Sequence, residues 1–226
     1  MKQKPSSLIL TVFITVSAFS LAAAQNTSVF SAAEGFPKTL DYSSYDEWKF
    51  RVGAMSFKVD KTGRVSRRGS NGRSSGFRIP LEQHEELTRV VYFAPYMRDL
   101  LLMFETQLGD GGSGRVVRVN LRTLKPKWNT SIPAFNVPRG LIEDRTAYVA
   151  GLGFVGKLDL ETGGYIWRHD NMYRKYLKTG AFNAFLTPQI VGTLVVFKEE
   201  DLLREGFDRQ IQIDKLSGKI VKVVLN

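Results

Sequence analysis

From Trp48 onward the chain alternates apolar and polar residues with the period of a β-strand. Trp48-Lys49-Phe50-Arg51-Val52 and Met55-Ser56-Phe57-Lys58-Val59-Asp60 each put apolar residues on one face and polar ones on the other. Gly53-Ala54 separates the two runs, and Lys61-Thr62-Gly63 closes the second as a turn. Val90-Val91-Tyr92-Phe93 and Leu100-Leu101-Leu102-Met103-Phe104 are instead continuous apolar runs. Bounded by glycine, they predict buried strands, and GDGGSG (residues 109–114) predicts a hairpin. A strand over 115–121, a turn over 122–126 and Lys127-Trp128 follow. Residues 146–170 hold a complete antiparallel meander: an apolar strand, a glycine-rich turn, a strand ending Leu158-Asp159-Leu160, a Thr162-Gly163 turn and a strand containing Trp167. The runs 193–197 and 211–221 repeat the design. The one stretch that predicts a helical turn is LEQHEEL (81–87), and GSNGRSSG (69–76) predicts a flexible loop.

Counting makes the repeat explicit. Asn120 precedes Trp128 by eight residues, Asp159 precedes Trp167 by eight, and the two pairs lie 39 residues apart. A period near 40 is what one four-stranded propeller blade occupies. Asp60 and Asp214 mark two further copies, so the intervals are 60, 39 and 55, the last absorbing an insert of about 15 residues within NMYRKYLKTGAFNAFL (171–186). Each feature has a folding role. The Asp accepts hydrogen bonds from turn amides, the glycine takes positive φ, and the Trp supplies a large apolar face for packing between neighbouring sheets.

The segment Leu158-Asp159-Leu160-Glu161-Thr162-Gly163-Gly164-Tyr165-Ile166-Trp167 resembles the blade-closing unit of quinoprotein-like (pyrroloquinoline quinone-repeat) β-propellers, with partial copies at the other three corners. The resemblance implies the fold, with export as a compatible compartment. Enzymes of that kind are much longer, with eight blades around a quinone and a calcium ion, whereas this chain has room for four or five blades. No residue maps onto a quinone or calcium ligand, so no dehydrogenase activity carries over. The expected fold is all-β: repeated antiparallel meanders forming a small or incomplete β-propeller, with a twisted β-sandwich of the same hairpins as the alternative. A closed ring would pair the strand at 221–225 with residues near Trp48.

Ahead of the repeats, Lys2 and Lys4, an apolar run from Leu8 to Leu21 and Ala22-Ala23-Ala24 have the layout of a secretory signal peptide cleaved before Gln25. The expected organisation is a signal peptide (1–24), an extended leader (25–44) and a β-repeat domain (45–226). The chain contains no cysteine, which with export favours a bacterial envelope location, periplasmic or extracellular, over an animal secreted protein. Removing residues 1–24 lowers Lys+Arg from 32 to 30 against 22 Asp+Glu, a net charge of +8. Part of the excess is concentrated at Arg64, Arg67, Arg68, Arg73 and Arg78, and part lies in the insert at Tyr173, Arg174, Lys175, Tyr176 and Lys178.

Little in the chain points to catalysis. Gly151-Leu152-Gly153-Phe154-Val155-Gly156 spells GxGxxG, but a strand pattern follows it where a dinucleotide site needs a helix N-terminus, so it is expected to be a hairpin. His84 and His169 are the only histidines, and His84 lies among Glu82, Glu85 and Glu86. No zinc or nucleophile motif is present, and the adjacent Glu199, Glu200 and Asp201 do not face one another across a site. The expected function is therefore an exported, non-enzymatic binding or scaffolding module without cofactor or metal. Its partner would be an envelope protein or an anionic glycan or lipid surface rather than nucleic acid, met through Arg64, Arg67, Arg68, Arg73, Tyr173, Arg174, Lys175 and Tyr176. The contrasting expectation is an extracytoplasmic hydrolase or lyase whose carboxylates converge only in three dimensions.

Overall fold

The computed structural model describes residues 26–36, 45–69, 74–170, 172, 184–200 and 207–225. Three short strands lead: β1 (Thr27–Val29), β2 (Ser31–Ala32) and β3 (Glu34–Phe36). The first sheet adds β4 (Glu47–Val52), β5 (Met55–Asp60), β6 (Arg64–Arg68) and β7 (Ser74–Arg78) to β3. The second orders β2 beside β8 (Glu86–Tyr96), β9 (Asp99–Leu108), β10 (Gly111–Asn120) and β11 (Pro126–Ile132). The third orders β1 beside β12 (Leu141–Glu143), β13 (Thr146–Gly151), β14 (Phe154–Asp159) and β15 (Tyr165–His169). In the fourth, β16 (Ala184–Phe185) and β17 (Gln189–Val191) both pair with β18 (Leu194–Glu200), followed by β19 (Phe207–Asp214) and β20 (Ile220–Leu225). The fold is all-β and antiparallel, as the alternation predicts.

The four sheets stack face to face, and three apolar clusters fill the gaps between successive sheets. This explains why some strands alternate and others do not. In β9, Leu100, Leu102 and Phe104 face the first sheet's Trp48, Phe57 and Val59, while Leu101 and Met103 face the third sheet's Ala147 and Val149. A strand buried on both faces reads as a continuous apolar run. The first sheet buries one face only, and its strands alternate.

Each sheet turns a corner at its repeat Asp or Asn. Asp60 Oδ1 accepts from the amides of Thr62 and Arg64 at 3.0 and 3.1 Å, and Asn120, Asp159 and Asp214 do the same for the amides of their own turns. The carbonyl just past the corner receives the preceding sheet. Trp128 Nε1 donates to Leu160 O at 3.1 Å and Trp167 Nε1 to Lys215 O at 3.2 Å. Two residues beyond each Trp, Thr130 Oγ1 and His169 Nε2 reach the carbonyls of the turn glycines Gly163 and Gly218 at 2.6 and 2.7 Å. Buried cations join them: Arg118 Nη1 donates to Leu160 O at 2.6 Å and Lys157 Nζ to Lys215 O at 2.9 Å. Between the first two sheets Arg67, one residue short of the Trp position, makes the corresponding bond, its Nη1 donating to Leu121 O at 2.5 Å.

Residues 26–36 of the expected leader form strands that belong to the fold. This stretch runs past the third, second and first sheets in turn, adding one antiparallel strand to each. Phe30 and Ala33 are its anchors, each wedged into a gap between sheets.

Three local expectations change. Residues 81–87 form a turn rather than a helical one: Glu85 N donates to Glu82 O at 3.1 Å, His84 adopts φ +65°, and β8 starts at Glu86. Leu87 is pulled into the strand because its N–H reaches Lys61 O at 2.8 Å while its side chain enters the first intersheet core. Of the expected loop 69–76, residues 74–76 belong to β7. The expected closure does not form among the described residues: β20 pairs with β19, and β4 with β3 and β5. Closure would dock β20 on the first corner, but there Leu81 already covers Gly63 and Leu87 N already holds Lys61 O. Lys222 also stands where the other sheets have Trp128 and Trp167. The sheets form an open arc.

Gly218 adopts φ +71°, and a Cβ there would lie 2.5 Å from Trp167 Cγ; Gly192, at φ +60°, has nothing within 4 Å. Urea unfolding of the two alanine variants separates backbone strain from docking. Gly192→Ala is expected to cost about 1 kcal/mol and Gly218→Ala about 3 kcal/mol. Equal costs would remove the docking role of the indole.

Candidate functional site

Among the described residues, no other sheet covers one face of the first sheet. Strand alternation turns Trp48, Phe50, Phe57, Val59 and Val65 toward the second sheet and leaves Lys49, Arg51, Ser56, Lys58, Arg64, Ser66, Arg68 and Arg78 on the other side. Register sets Lys49 directly opposite Lys58, and Arg64 directly opposite Arg78. Like charges in that relation destabilise a sheet. Glu47 relieves the first pair, binding Lys49 at 3.1 Å and also Lys58. Hydrogen bonds from Lys58 and then Lys49 hold its carboxyl below the usual range. The Arg64/Arg78 pair has no carboxylate in an ion pair with it among the described residues. A cavity of about 540 Å³ opens on this face, lined by Glu34, Lys49, Arg51, Lys58 and Arg68, with the hydroxyls of Ser56, Ser66 and Ser74. Such a surface attracts anions and offers them hydroxyls.

Arg64 and Arg68, named from sequence, lie on this face. Arg67 points the opposite way and spends its guanidinium on Leu121 O and on Ser75 Oγ. Arg73, Tyr173, Arg174, Lys175 and Tyr176 fall outside the described residues. Sequence reasoning passed over Lys49, Arg51 and Lys58, although the alternation of WKFRV and MSFKV already put them on one face.

A second cavity, of about 390 Å³, lies near the inner strands, lined by Arg89, Tyr92, Glu105, Asn136, Val137 and Phe185 among others. Arg89 sits in the bulge of β8 at φ +56° and donates to Asn136 Oδ1, itself at φ +52°. Glu105 Oε1 accepts from Val137 N at 2.7 Å, and Oε2 lies 3.7 Å from Arg89 Nε. Burial pushes the Glu105 carboxyl up, against that amide and the Arg89 charge. Burial also raises the Tyr92 phenol. This arrangement sets one buried carboxyl, raised above its ordinary pKa, beside a cation. Hydrolysis by paired acids needs a second, and Glu105 is the one carboxylate among the described lining residues. No three His, Asp or Glu side chains converge among the described residues.

His169, Glu85 and Glu199, also singled out in the sequence, serve the scaffold, while Lys178 and Asp201 fall outside the described residues. His169 bonds Gly218 O, and Glu85 holds Arg115 through bonds of 3.0 and 2.9 Å. Glu199 forms a fully buried pair with Arg209, which also donates to Met172 O at 3.1 Å. The GxGxxG stretch is the β13–β14 hairpin, with Gly153 at φ +67°, as expected.

No protein-family model matches the chain, and no curated protein matches it. Among solved structures it is similar to a europium-containing methanol dehydrogenase, at TM-score 0.50 and 8% identity over 78% of this chain and 41% of that one. It is also similar to the quinohemoprotein alcohol dehydrogenase ADHIIG from Pseudomonas putida HK5, at TM-score 0.50 and 12% identity over 88% of this chain and 36% of that one. The chain spans about two fifths of the length of those proteins. The likeness establishes the propeller-type sheet arrangement and extends to nothing else.

A raised carboxyl pKa lowers stability as pH climbs from the unfolded value toward the folded one, because the folded state binds the extra proton. Glu105→Gln, which keeps an acceptor for Val137 N, is therefore expected to raise the melting temperature at pH 7, with the gain fading below about pH 4. A gain that persists undiminished at low pH contradicts the buried-carboxyl assignment.

Proposed function

We propose that this chain is an exported, non-catalytic binding module that attaches to an anionic partner of the cell envelope through the open face of its first sheet. The observation that carries the reading is the like-charged cross-strand pair Arg64/Arg78, with Arg51 and Arg68 beside it and no carboxylate paired to any of the four among the described residues, on a face that packs against no other described sheet. An end sheet needs a polar outer face to stay soluble, and alternating signs meet that need at lower cost. Concentrated positive charge is instead what an anionic partner repays. The signal-like residues 1–24 and the lack of cysteine support export. A hydrolase or lyase reading has Glu105 as its one acid in the inner cavity, which supports it less.

The test is retention of residues 25–226 on a sulfated matrix against an uncharged one over a salt gradient. Retention is expected on the sulfated matrix alone, with elution well before about 1 M salt, where the Debye length is about 3 Å. Arg51→Glu/Arg68→Glu is expected to abolish it. Retention that survives 1 M salt, or that the double variant leaves unchanged, overturns the reading.

A further inference from the structure

We infer that the ligand of the first sheet's open face is a linear anionic polysaccharide lying across the strands, its acid groups on the Arg51/Arg68 row and its hydroxyls on the serines. The inference rests on the function proposed above and narrows it to one partner class.

The layout of the face selects among polyanions. Neighbouring strands are about 4.8 Å apart, so Arg51 on β4 and Arg68 on β6, joined in register through Ser56 on β5, stand about 10 Å apart across the sheet. That interval suits a chain that presents an acid group to the sheet once every two sugars, as alternate residues of a two-fold polyuronate do. In the next row Lys49 and Lys58 already share the Glu47 carboxylate, so the acid groups of a ligand fall to the Arg51/Arg68 row. Between the cations the small side chains of Ser56, Ser66 and Ser74 leave the cavity open; Ser66 Oγ donates to Lys58 O at 3.4 Å, and the hydroxyls of Ser56 and Ser74 can donate and accept, as sugar hydroxyls require.

The same face lacks what the other polyanions use. Single-stranded nucleic acid is held by bases stacked on aromatic rings. Phe50 and Phe57 also border the cavity, but they are buried and their ring faces are taken, Phe57 on Phe50 at 5.1 Å and Phe93 on Phe50 at 4.4 Å, so neither offers a face to a base. A peripheral membrane site inserts exposed apolar side chains between the headgroups. The exposed large apolar residues of the described chain, among them Met97, Leu216 and Leu225, lie elsewhere, and none lines this cavity.

The experiment titrates residues 25–226 by calorimetry with polygalacturonate, with neutral dextran and with single-stranded DNA, and sediments the protein with phosphatidylglycerol vesicles. Polygalacturonate is expected to bind tightest and dextran not at all. Ser56→Ala/Ser74→Ala, which keeps every cation, is expected to weaken polygalacturonate about tenfold, as the loss of two hydrogen bonds would, while leaving vesicle sedimentation unchanged. Circular dichroism confirms that the variant folds. Vesicles or DNA bound as tightly as polygalacturonate, or a serine variant with undiminished affinity, overturn the polysaccharide assignment and leave the anionic-partner reading standing. Binding to none of the three polyanions overturns both.

Discussion

The arc depends on one recurring acceptor, the backbone carbonyl just past each corner Asp or Asn. Leu160 O and Lys215 O each receive an indole N–H and a buried cation from the sheet before, and Leu121 O receives Arg67. A cation drawn into a seam needs charge to balance it. Arg118 finds Asp99 at 2.5 Å and Glu161 at 3.0 Å. At the next seam Glu143 takes Lys215 at 2.5 Å and the Tyr148 hydroxyl at 2.6 Å. Burial alone would raise the Glu143 carboxyl, but the bonds from Lys215 and Tyr148 and the nearby Lys157 charge outweigh it and hold it low. Burial in turn lowers the Lys157 ammonium. These ionised groups are shifted by the way the sheets interlock.

The same rule sets where the arc stops. Docking needs a donor on one sheet and a free corner on the next, and the first corner is filled by the chain's own Leu81 and Leu87. At the far end Lys222, with Lys198, faces outward from the fourth sheet, so joining the two ends would press cations against the Lys49–Arg68 face. The face this leaves uncovered on the first sheet is the one on which a binding role rests.

Much of this was legible in the sequence, because hydrogen-bonding corners and strand alternation are local. Asp60, Asn120, Asp159 and Asp214 mark the four corners, and Trp128 and Trp167 dock as their spacing suggests. The open ends were written there too. The continuous runs of β9 and β13 belong to inner sheets, while WKFRV and MSFKV in the first sheet and Gln210 to Asp214 in the fourth alternate because one face meets no further sheet. What could not be read was long-range substitution. Nothing local says that Arg67 makes the bond a Trp makes at the other seams, that residues 27–36 edge three sheets in reverse order, or that Leu87 joins a strand instead of a helical turn. Each depends on what lies across a seam.

The equivalence of the Arg67 bond with those of Trp128 and Trp167 is the most direct point of attack, since it asserts that the acceptor, rather than residue type, joins the sheets. The decisive measurement is urea unfolding of Arg67→Trp beside Arg67→Ala, with the emission of the added indole. A corner carbonyl that accepts any suitable donor predicts that Arg67→Ala loses about 1–3 kcal/mol, while Arg67→Trp keeps its midpoint and gains a blue-shifted, half-buried emission. Two variants equally destabilised, with the new indole emitting as if in water, would contradict it.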